Sequence, residues 1–555
     1  MTLPKRIKRV AVIGAGPAGA GFAKALVQEK FFDNITLFER RWQTGGLWNY
    51  SKDQSNDRSL LSVPSENPFL SPTNCKDSPV SPYEIPLKKN DSSSSSQYVW
   101  PSAVYEELDT NIPKELMAYN KYPFDKKLPL YPSHRDVLNY LCNYSKDIEP
   151  LVRFNTKVVN IEFINGYHED DTTTTTSQQS FVDAVKCGKI KHLQDIDWSN
   201  YSWKITSRPI VDATKGGTEP DLTPDSPYAD KIEYFDGVAM ASGNYDVPYT
   251  PDFPGLAEWN AKFPNSVTHA KFYNNFQDYT TDDKILVVGN SASGADIAYQ
   301  LAIRWNMAIY KSKRSENLQP AGSDSNIKDL PNIKRFIPET QEIEFVDGQK
   351  IKGFTQIIFA TGYLKSLPYM NELSLPLLGN FHSTLQSIEN NELQPLISTG
   401  SKVNGLYQHL LSYQYPGLAI IGTPKYVIPT RLSETQGAWI SRVWSGRIPL
   451  PSIQTMQQWE KDRTLEVNQD DYKFHSIPYP ADVEHYVELN DQIVESGTDY
   501  GLIPVLWDEK QRQIREYAKK IKESYIAYKK DKNLTAFSLQ ELEQAGYLKY
   551  EKDDK

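Results

Sequence analysis

Two glycine-rich stretches carry residues suited to holding a pyrophosphate, and the segments that follow them differ in charge. The first is GAGPAG: Gly14, Ala15, Gly16, Pro17, Ala18 and Gly19. Gly14 permits a sharp turn, Gly16 leaves room for a phosphate against the backbone, and Gly19 lets a helix lie close to its sheet. Twenty residues beyond Gly19 stands Glu39, with Arg40 beside it. A carboxylate there can accept hydrogen bonds from both ribose hydroxyls and repels a 2′-phosphate, which suits FAD or NAD(H). The second stretch is GNSASGAD, from Gly289 through Ser291, Ser293, Gly294 and Ala295 to Asp296, with Ser291 in place of the middle glycine. Its downstream segment, KSKR, offers Lys311, Lys313 and Arg314 and no acid. Forked cationic donors without a facing carboxylate suit the 2′-phosphate of NADPH. The chemistry implied is that of two bound dinucleotides, FAD or NAD(H) at the acidic site and NADPH at the basic one.

Each stretch needs a strand before it and a helix after it, whose bare N–H groups and dipole meet the phosphate. Val10 to Ile13, then Ala18, Phe22, Ala23 and Leu26 at helical spacing, then Ile35 to Phe38, supply such a βαβ unit. Ile285 to Val288, then Ile297, Ala298 and Leu301, then MAIY, supply the second. The expected fold class is α/β with two dinucleotide-binding, Rossmann-like domains. Ala241–Gly243 and an ATG strand ending at Gly362 bracket the second unit. In the arrangement that resemblance to two-dinucleotide flavoproteins implies, the expected division is an FAD domain over 1–240, an inserted NADPH domain over 241–360, and the FAD domain resumed over 361–555 with a helical extension. Residues 51–98 and 165–200, rich in Ser, Pro, Thr and Asp, read as insertions. Residues 507–530 read as one Lys/Glu-rich helix with a packing role only.

A formal charge of −9 over 555 residues argues against a nucleic-acid surface. Cys75, Cys142 and Cys187 form neither a CxxC pair nor a metal-ligand cluster, so no metal and a reducing compartment are expected. The first residues run into a strand without a signal-like apolar segment, and no run of about 18 apolar residues occurs. The expected place is the cytoplasm, with peripheral contact to the cytosolic face of the endoplasmic reticulum and a homo-oligomeric state both left open. No Ser/His/Asp or Cys/His arrangement is evident, so an activated protein nucleophile is not expected.

Further motifs surround the two loops. Glu39 is followed by Gly45, Gly46, Leu47 and Trp48 as E-x5-GG-x-W, and Leu108, Thr110, Asn111, Lys114, Met117 and Tyr119 fit L-x-TN-x2-K-x2-M-x-Y. Phe263, His269 and Tyr273 fit F-x-G-x3-H-x3-Y, although Asn265 replaces the glycine and Asn274 the cation that ends the motif. With these the chain resembles the flavin-containing monooxygenases. The resemblance implies NADPH reducing FAD, O2 adding to the reduced flavin as a C4a-hydroperoxide, and a soft sulfur or nitrogen nucleophile, small thiols among them, taking one oxygen. It implies that Asn111 is the catalytic amide at the flavin–nicotinamide edge with Thr110 beside it, that Val158 passes near the adenine, and that Ser293 to Asp296 form the NADP turn. From the residues alone, Asn111 could instead cap a helix over IPKELMAY, Asp296 could favour a first helical turn, and His269 positions a loop. Three alternatives stand beside this reading: a Baeyer–Villiger or N-hydroxylating oxygenase, a flavin reductase or oxidase, and a non-catalytic nucleotide-binding protein. Tyr273, where Baeyer–Villiger enzymes carry Trp, favours heteroatom oxygenation.

Overall fold

The run RVAVI forms the strand Arg9–Ile13, with Val10 to Ile13 buried. It is flanked by parallel strands on both sides, Asn34–Phe38 and Gly237–Met240. Leu418–Ile420 and Val152–Arg153 extend the parallel set, and Leu406–Tyr407 and Leu411–Ser412 complete a seven-stranded sheet. A parallel sheet is covered on both faces, which is why its strands read as unbroken apolar runs. The helices Pro17–Glu29 and Pro429–Ser445 pack together in the largest core, where the Phe22 and Trp444 rings meet edge-on at 5.9 Å. In a computed structural model of the chain, residues 6–550 are described apart from 51–84, 87–97, 101, 166–178, 181–198, 200, 212–225, 227, 318, 320, 371–372, 374–393, 398 and 416. The readings of 51–98 and 165–200 as insertions thus lie almost wholly outside the described residues.

A second, five-stranded parallel sheet runs Val267–His269, Gln356–Phe359, Ile285–Val288, Ile309–Ser312, Ile327–Leu330. The helix Ala292–Trp305 covers it, burying Ile297, Ala298 and Leu301. Where the chain passes between the two sheets, Val247–Pro248 pairs with Tyr363–Leu364 in a short antiparallel clip. A four-stranded antiparallel sheet, including Thr156–Asn165 and Tyr201–Pro209, flanks the first.

The single helix expected over 507–530 is two, Glu509–Glu516 and Ala518–Lys532. Tyr517, at φ −85° and ψ 9°, breaks the run between them. On the second helix Tyr525 packs on Tyr131 at 4.8 Å.

Candidate active site

Open α/β sheets bind ligands beyond the carboxyl ends of their strands. Here those ends, from both parallel sheets, open onto one cavity of about 1520 Å³. Every predicted site residue lines it except Ala15, Gly19, Gly294, Ala295, Lys311 and Lys313.

The first loop leaves no room for side chains. Gly14 has φ +103°, and a Cβ on it would lie 2.7 Å from the Ala241 carbonyl oxygen. A Cβ on Gly19 would lie 1.9 Å from the Gly14 oxygen, so this glycine sits behind the cavity and sets helix against loop. Gly16 faces Gly46, whose Cα would be 3.2 Å from an added Cβ, which brings the Gly46–Trp48 turn over the loop. Buried Glu39 accepts the Ala15 N–H on Oε2 (2.8 Å) and the Arg41 N–H on Oε1 (2.9 Å). Each oxygen keeps lone-pair capacity for a further donor. Arg40 reaches Asp246 at 3.5 Å. Burial raises the Asp246 carboxyl, but Arg40, Lys271 and Arg41 outweigh it and hold the group at about 2.

The second loop repeats this geometry. Gly289 has φ +118°, with a Cβ due 2.4 Å from the Ala360 oxygen, and a Cβ on Gly294 would lie 2.4 Å from the Gly289 oxygen. Ser291, Ser293 and Asp296 line the cavity, while Ala295 is buried behind them. Asp296 is not in the first turn of its helix; it accepts from the Tyr105 hydroxyl and from Gln300 Nε2 (2.9 Å), and burial pushes it up to about 6.

The basic segment has an acid beside it that its own sequence does not show. No acid follows Gly294 in sequence at the expected distance, but the neighbouring parallel strand puts Asp329 in register with Lys311. Side chains two apart share a sheet face, so both lysines meet it: Lys311 Nζ at 3.3 Å and Lys313 Nζ at 2.9 Å. Lys313 also holds Glu316 at 2.9 Å. Of the three cations only Arg314 lines the cavity.

Thr110 and Asn111 are held from two directions. The Thr110 N–H donates to the Pro132 oxygen at 3.0 Å, and Lys522 Nζ donates to the Thr110 oxygen at 2.7 Å. Asn111 is not a cap: the short helix Lys114–Met117 starts from Pro113, without a side-chain cap bond. The other motif residues support this segment. Lys114 Nζ grips the Leu128 and Lys126 carbonyls, and the Tyr119 hydroxyl donates to the Pro17 oxygen at 2.8 Å. Sequence reasoning missed Lys522, a cavity-lining lysine that burial lowers to about 8. The one available signal was its place beside Ile521 and Tyr525 on the buried stripe of its helix.

His269 behaves as a positioning residue. Its Nδ1 accepts the Lys271 N–H at 3.0 Å, and its Nε2 lies 3.1 Å from the Gly362 oxygen, tying the second sheet to the hinge. Burial, then Lys271, lowers it to about 3, so the ring is neutral. Asn265, standing for a glycine, has φ +67°, a left-handed conformation that Asn tolerates. Asn274, standing for a cation, accepts from the Tyr50 hydroxyl.

The residues present fit two dinucleotides. Both glycine cradles exclude a Cβ, and the buried side-chain oxygens of Thr110 and Asn290, both cavity-lining residues, have no hydrogen-bond partner among the described residues. Comparison with known proteins agrees. Residues 12–66 match the NAD(P)-binding Rossmann-like domain, 235–377 match pyridine nucleotide-disulphide oxidoreductase, and 96–187 match the Flavin-binding monooxygenase-like family. A thiol-specific monooxygenase of Saccharomyces cerevisiae is 25% identical over 520 residues, covering 92% of this chain and 90% of that protein. The chain belongs to the flavin-containing monooxygenase family. A second relative of this monooxygenase, iboF of Amanita muscaria, is 26% identical over 84% of each protein. The solved S-allyl-L-cysteine S-oxygenase of Allium sativum shares the fold of this monooxygenase, with TM-score 0.63, 21% identity and 98% coverage of both chains. Membership implies FAD and NADPH as cofactors. Among the described residues, no helix of this monooxygenase is long and apolar enough to cross a membrane, and no cluster of metal ligands occurs.

Proposed function

We propose that this monooxygenase inserts one oxygen atom of O2 into the soft sulfur or nitrogen of small molecules, small thiols foremost, at the expense of NADPH. In this reading the parts of the chain on either side of 241–360 hold FAD, and 241–360 holds NADPH. The observation that carries it is the pairing of two glycine cradles with opposite ribose ends on one cavity, which Asn111 also lines. The thiol preference draws support from the relative that acts on thiols, at 25% identity over 92% of the chain.

Bound FAD, reduced by NADPH, supplies the activation of O2. The chain's own residues bind, orient and exclude water. The free lone pairs of Glu39 accept the ribose hydroxyls of FAD, and Gly46, Leu47 and Trp48 close over it. Val158, which lines the cavity, would lie along its adenine side. Gly289, Ser291, Ser293 and the start of the helix Ala292–Trp305 take the NADPH pyrophosphate, and Arg314 takes the 2′-phosphate. Asn111 offers an amide donor and acceptor at the junction of the two nucleotides, fixed from behind by Lys522 through Thr110. For a thiol the balance is RSH + O2 + NADPH + H+ giving RSOH + H2O + NADP+. The substrate's own lone pair is the nucleophile.

The test uses the flavin-loaded enzyme, NADPH, catalase and a thioether under 18O2. The expected result is a sulfoxide carrying one 18O per NADPH consumed, and a thiol oxidised at the same stoichiometry. NADPH oxidation with no oxygenated product, and with hydrogen peroxide in a parallel run without catalase, would overturn the reading in favour of an oxidase or reductase.

A further inference from the structure

Lys365 and Lys425 both line the cavity, on loops that belong to neither glycine cradle. Lys365 follows the clip strand Tyr363–Leu364, and Lys425 follows the sheet strand Leu418–Ile420. Lys365 is 3% exposed, and the Thr423 carbonyl at 2.9 Å is the acceptor of its ammonium. Lys425 Nζ has the Tyr472 carbonyl, at 3.4 Å. Neither ammonium has a carboxylate within ion-pair distance among the described residues. Other lysines nearby do: Lys271 meets Asp246 at 3.7 Å, and Lys402 meets Glu460 at 3.2 Å.

The surroundings do not cancel this charge. Asp470 raises Lys425 but is tied to Lys473 at 3.2 Å, and Glu466 is tied to Arg463 at 2.7 Å. Beneath the pair, His409 and His475 are pushed well below their ordinary value by burial, so they are neutral. Burial, then the Lys425 charge, lowers Lys365 to about 7, and both side chains line the same cavity. Their backbones are anchored, by Lys365 N–H to the Gly400 oxygen and by Lys425 N–H to the His475 oxygen, each at 2.7 Å. A buried ammonium whose acceptor is a carbonyl, as at Lys365, is costly, and an anion entering the cavity would relieve that cost.

We propose that Lys365 and Lys425 form an anion subsite for the carboxylate of the substrate, so that the preferred substrates are small thiols and thioethers bearing a carboxylate. This rests on the monooxygenase reading above. A single added charge-assisted hydrogen bond is worth about a tenfold change in binding or more.

The test compares 3-mercaptopropionate with 3-mercaptopropan-1-ol on the flavin-loaded enzyme, two thiols that differ in charge and little in length. Lys365→Met and Lys425→Met are each expected to raise KM for the carboxylate about tenfold, with KM for the alcohol, KM for NADPH and flavin content unchanged. Lys425→Arg, which keeps the charge, is expected to retain the wild-type preference. Half-buried Lys425 provides the variant to rely on if Lys365→Met fails to fold. Equal effects on both thiols, or a wild type that does not distinguish them, would overturn the subsite. A raised KM for NADPH or a loss of flavin would overturn it by assigning the lysines to a cofactor phosphate. Butyrate, titrated by its perturbation of the flavin spectrum, reads the subsite without any oxygen transfer. If no thiol is oxygenated while butyrate binding still depends on both lysines, the monooxygenase reading fails and the subsite stands. If butyrate binds wild type and variants alike, the subsite fails.

Discussion

The two phosphate loops superimpose in logic residue by residue. Gly14 N–H donates to the Phe38 oxygen at 2.8 Å, and Gly289 N–H donates to the Ser312 oxygen at 2.9 Å. Glu39 N–H then donates to the Arg153 oxygen at 3.0 Å, and Lys313 N–H to the Leu330 oxygen at 2.9 Å. By this correspondence Glu39 matches Lys313, and Arg40 matches Arg314. At the first position a buried carboxylate faces the cavity and is braced by two backbone N–H groups. At the second, a lysine that is not among the lining residues is held by Glu316 and Asp329, and those bonds raise its pKa. The comparison teaches that the second site differs less by gathering cations than by exchanging the braced carboxylate at this position for a lysine outside the lining, with Arg314 the cation of KSKR that faces the cavity.

The strongest way to break the correspondence is to fill the helix-side glycines. Gly19→Ala puts a Cβ 1.9 Å from a backbone oxygen, and Gly294→Ala puts one at 2.4 Å, so in both the loop must move. Gly19→Ala is expected to yield colourless protein. Gly294→Ala is expected to keep its flavin and its reduction by dithionite, but to lose reduction by NADPH by about 100-fold or more, a loss set by loop displacement of the kind that overpacking causes. Absorbance of the purified protein and anaerobic reduction rates check both. Loss of flavin in Gly294→Ala would end the assignment of one nucleotide to each loop.

A sharper test concerns the ribose end. Arg314→Ala removes the one cation of the KSKR segment that lines the cavity. Loss of a charge-assisted bond to phosphate is expected to raise KM for NADPH about 10- to 100-fold. KM for NADH, which lacks the 2′-phosphate, should stay within about twofold of wild type, because that bond has no counterpart in it. Parallel rises for both nucleotides would move Arg314 from phosphate recognition to loop support.

Much of this was legible because glycine spacing and apolar runs report backbone requirements directly. Gly14, Gly19, Gly289 and Gly294 are glycine because neighbouring carbonyls occupy the space of a Cβ. What escaped were contacts between segments distant in sequence. Asp329 reaches Lys311 only through strand register, and no local pattern announces a cross-strand pair. Lys522 lies 412 positions from its partner Thr110, in a helix whose Lys/Glu-rich sequence resembles a solvated surface. The short helix after Asn111 was legible as a helix, but its cap was not, because Pro113 starts it without any side-chain bond.

The smallest effect is expected at the two lysines of KSKR. If Lys311 and Lys313 serve Asp329 and Glu316 and not the nucleotide, the double variant Lys311→Ala/Lys313→Ala should change KM for NADPH by less than about twofold, the scale of partly exposed ion pairs. Asp329 keeps 44% of its side chain in solvent, so water compensates it when both partners are gone. Steady-state titration of NADPH beside the Arg314→Ala variant gives the measurement. A rise as large as that of Arg314→Ala would mean that the lysines leave Asp329 when NADPH arrives. The contrast between a braced carboxylate at Glu39 and a cation outside the lining at Lys313 would then describe only the nucleotide-free protein.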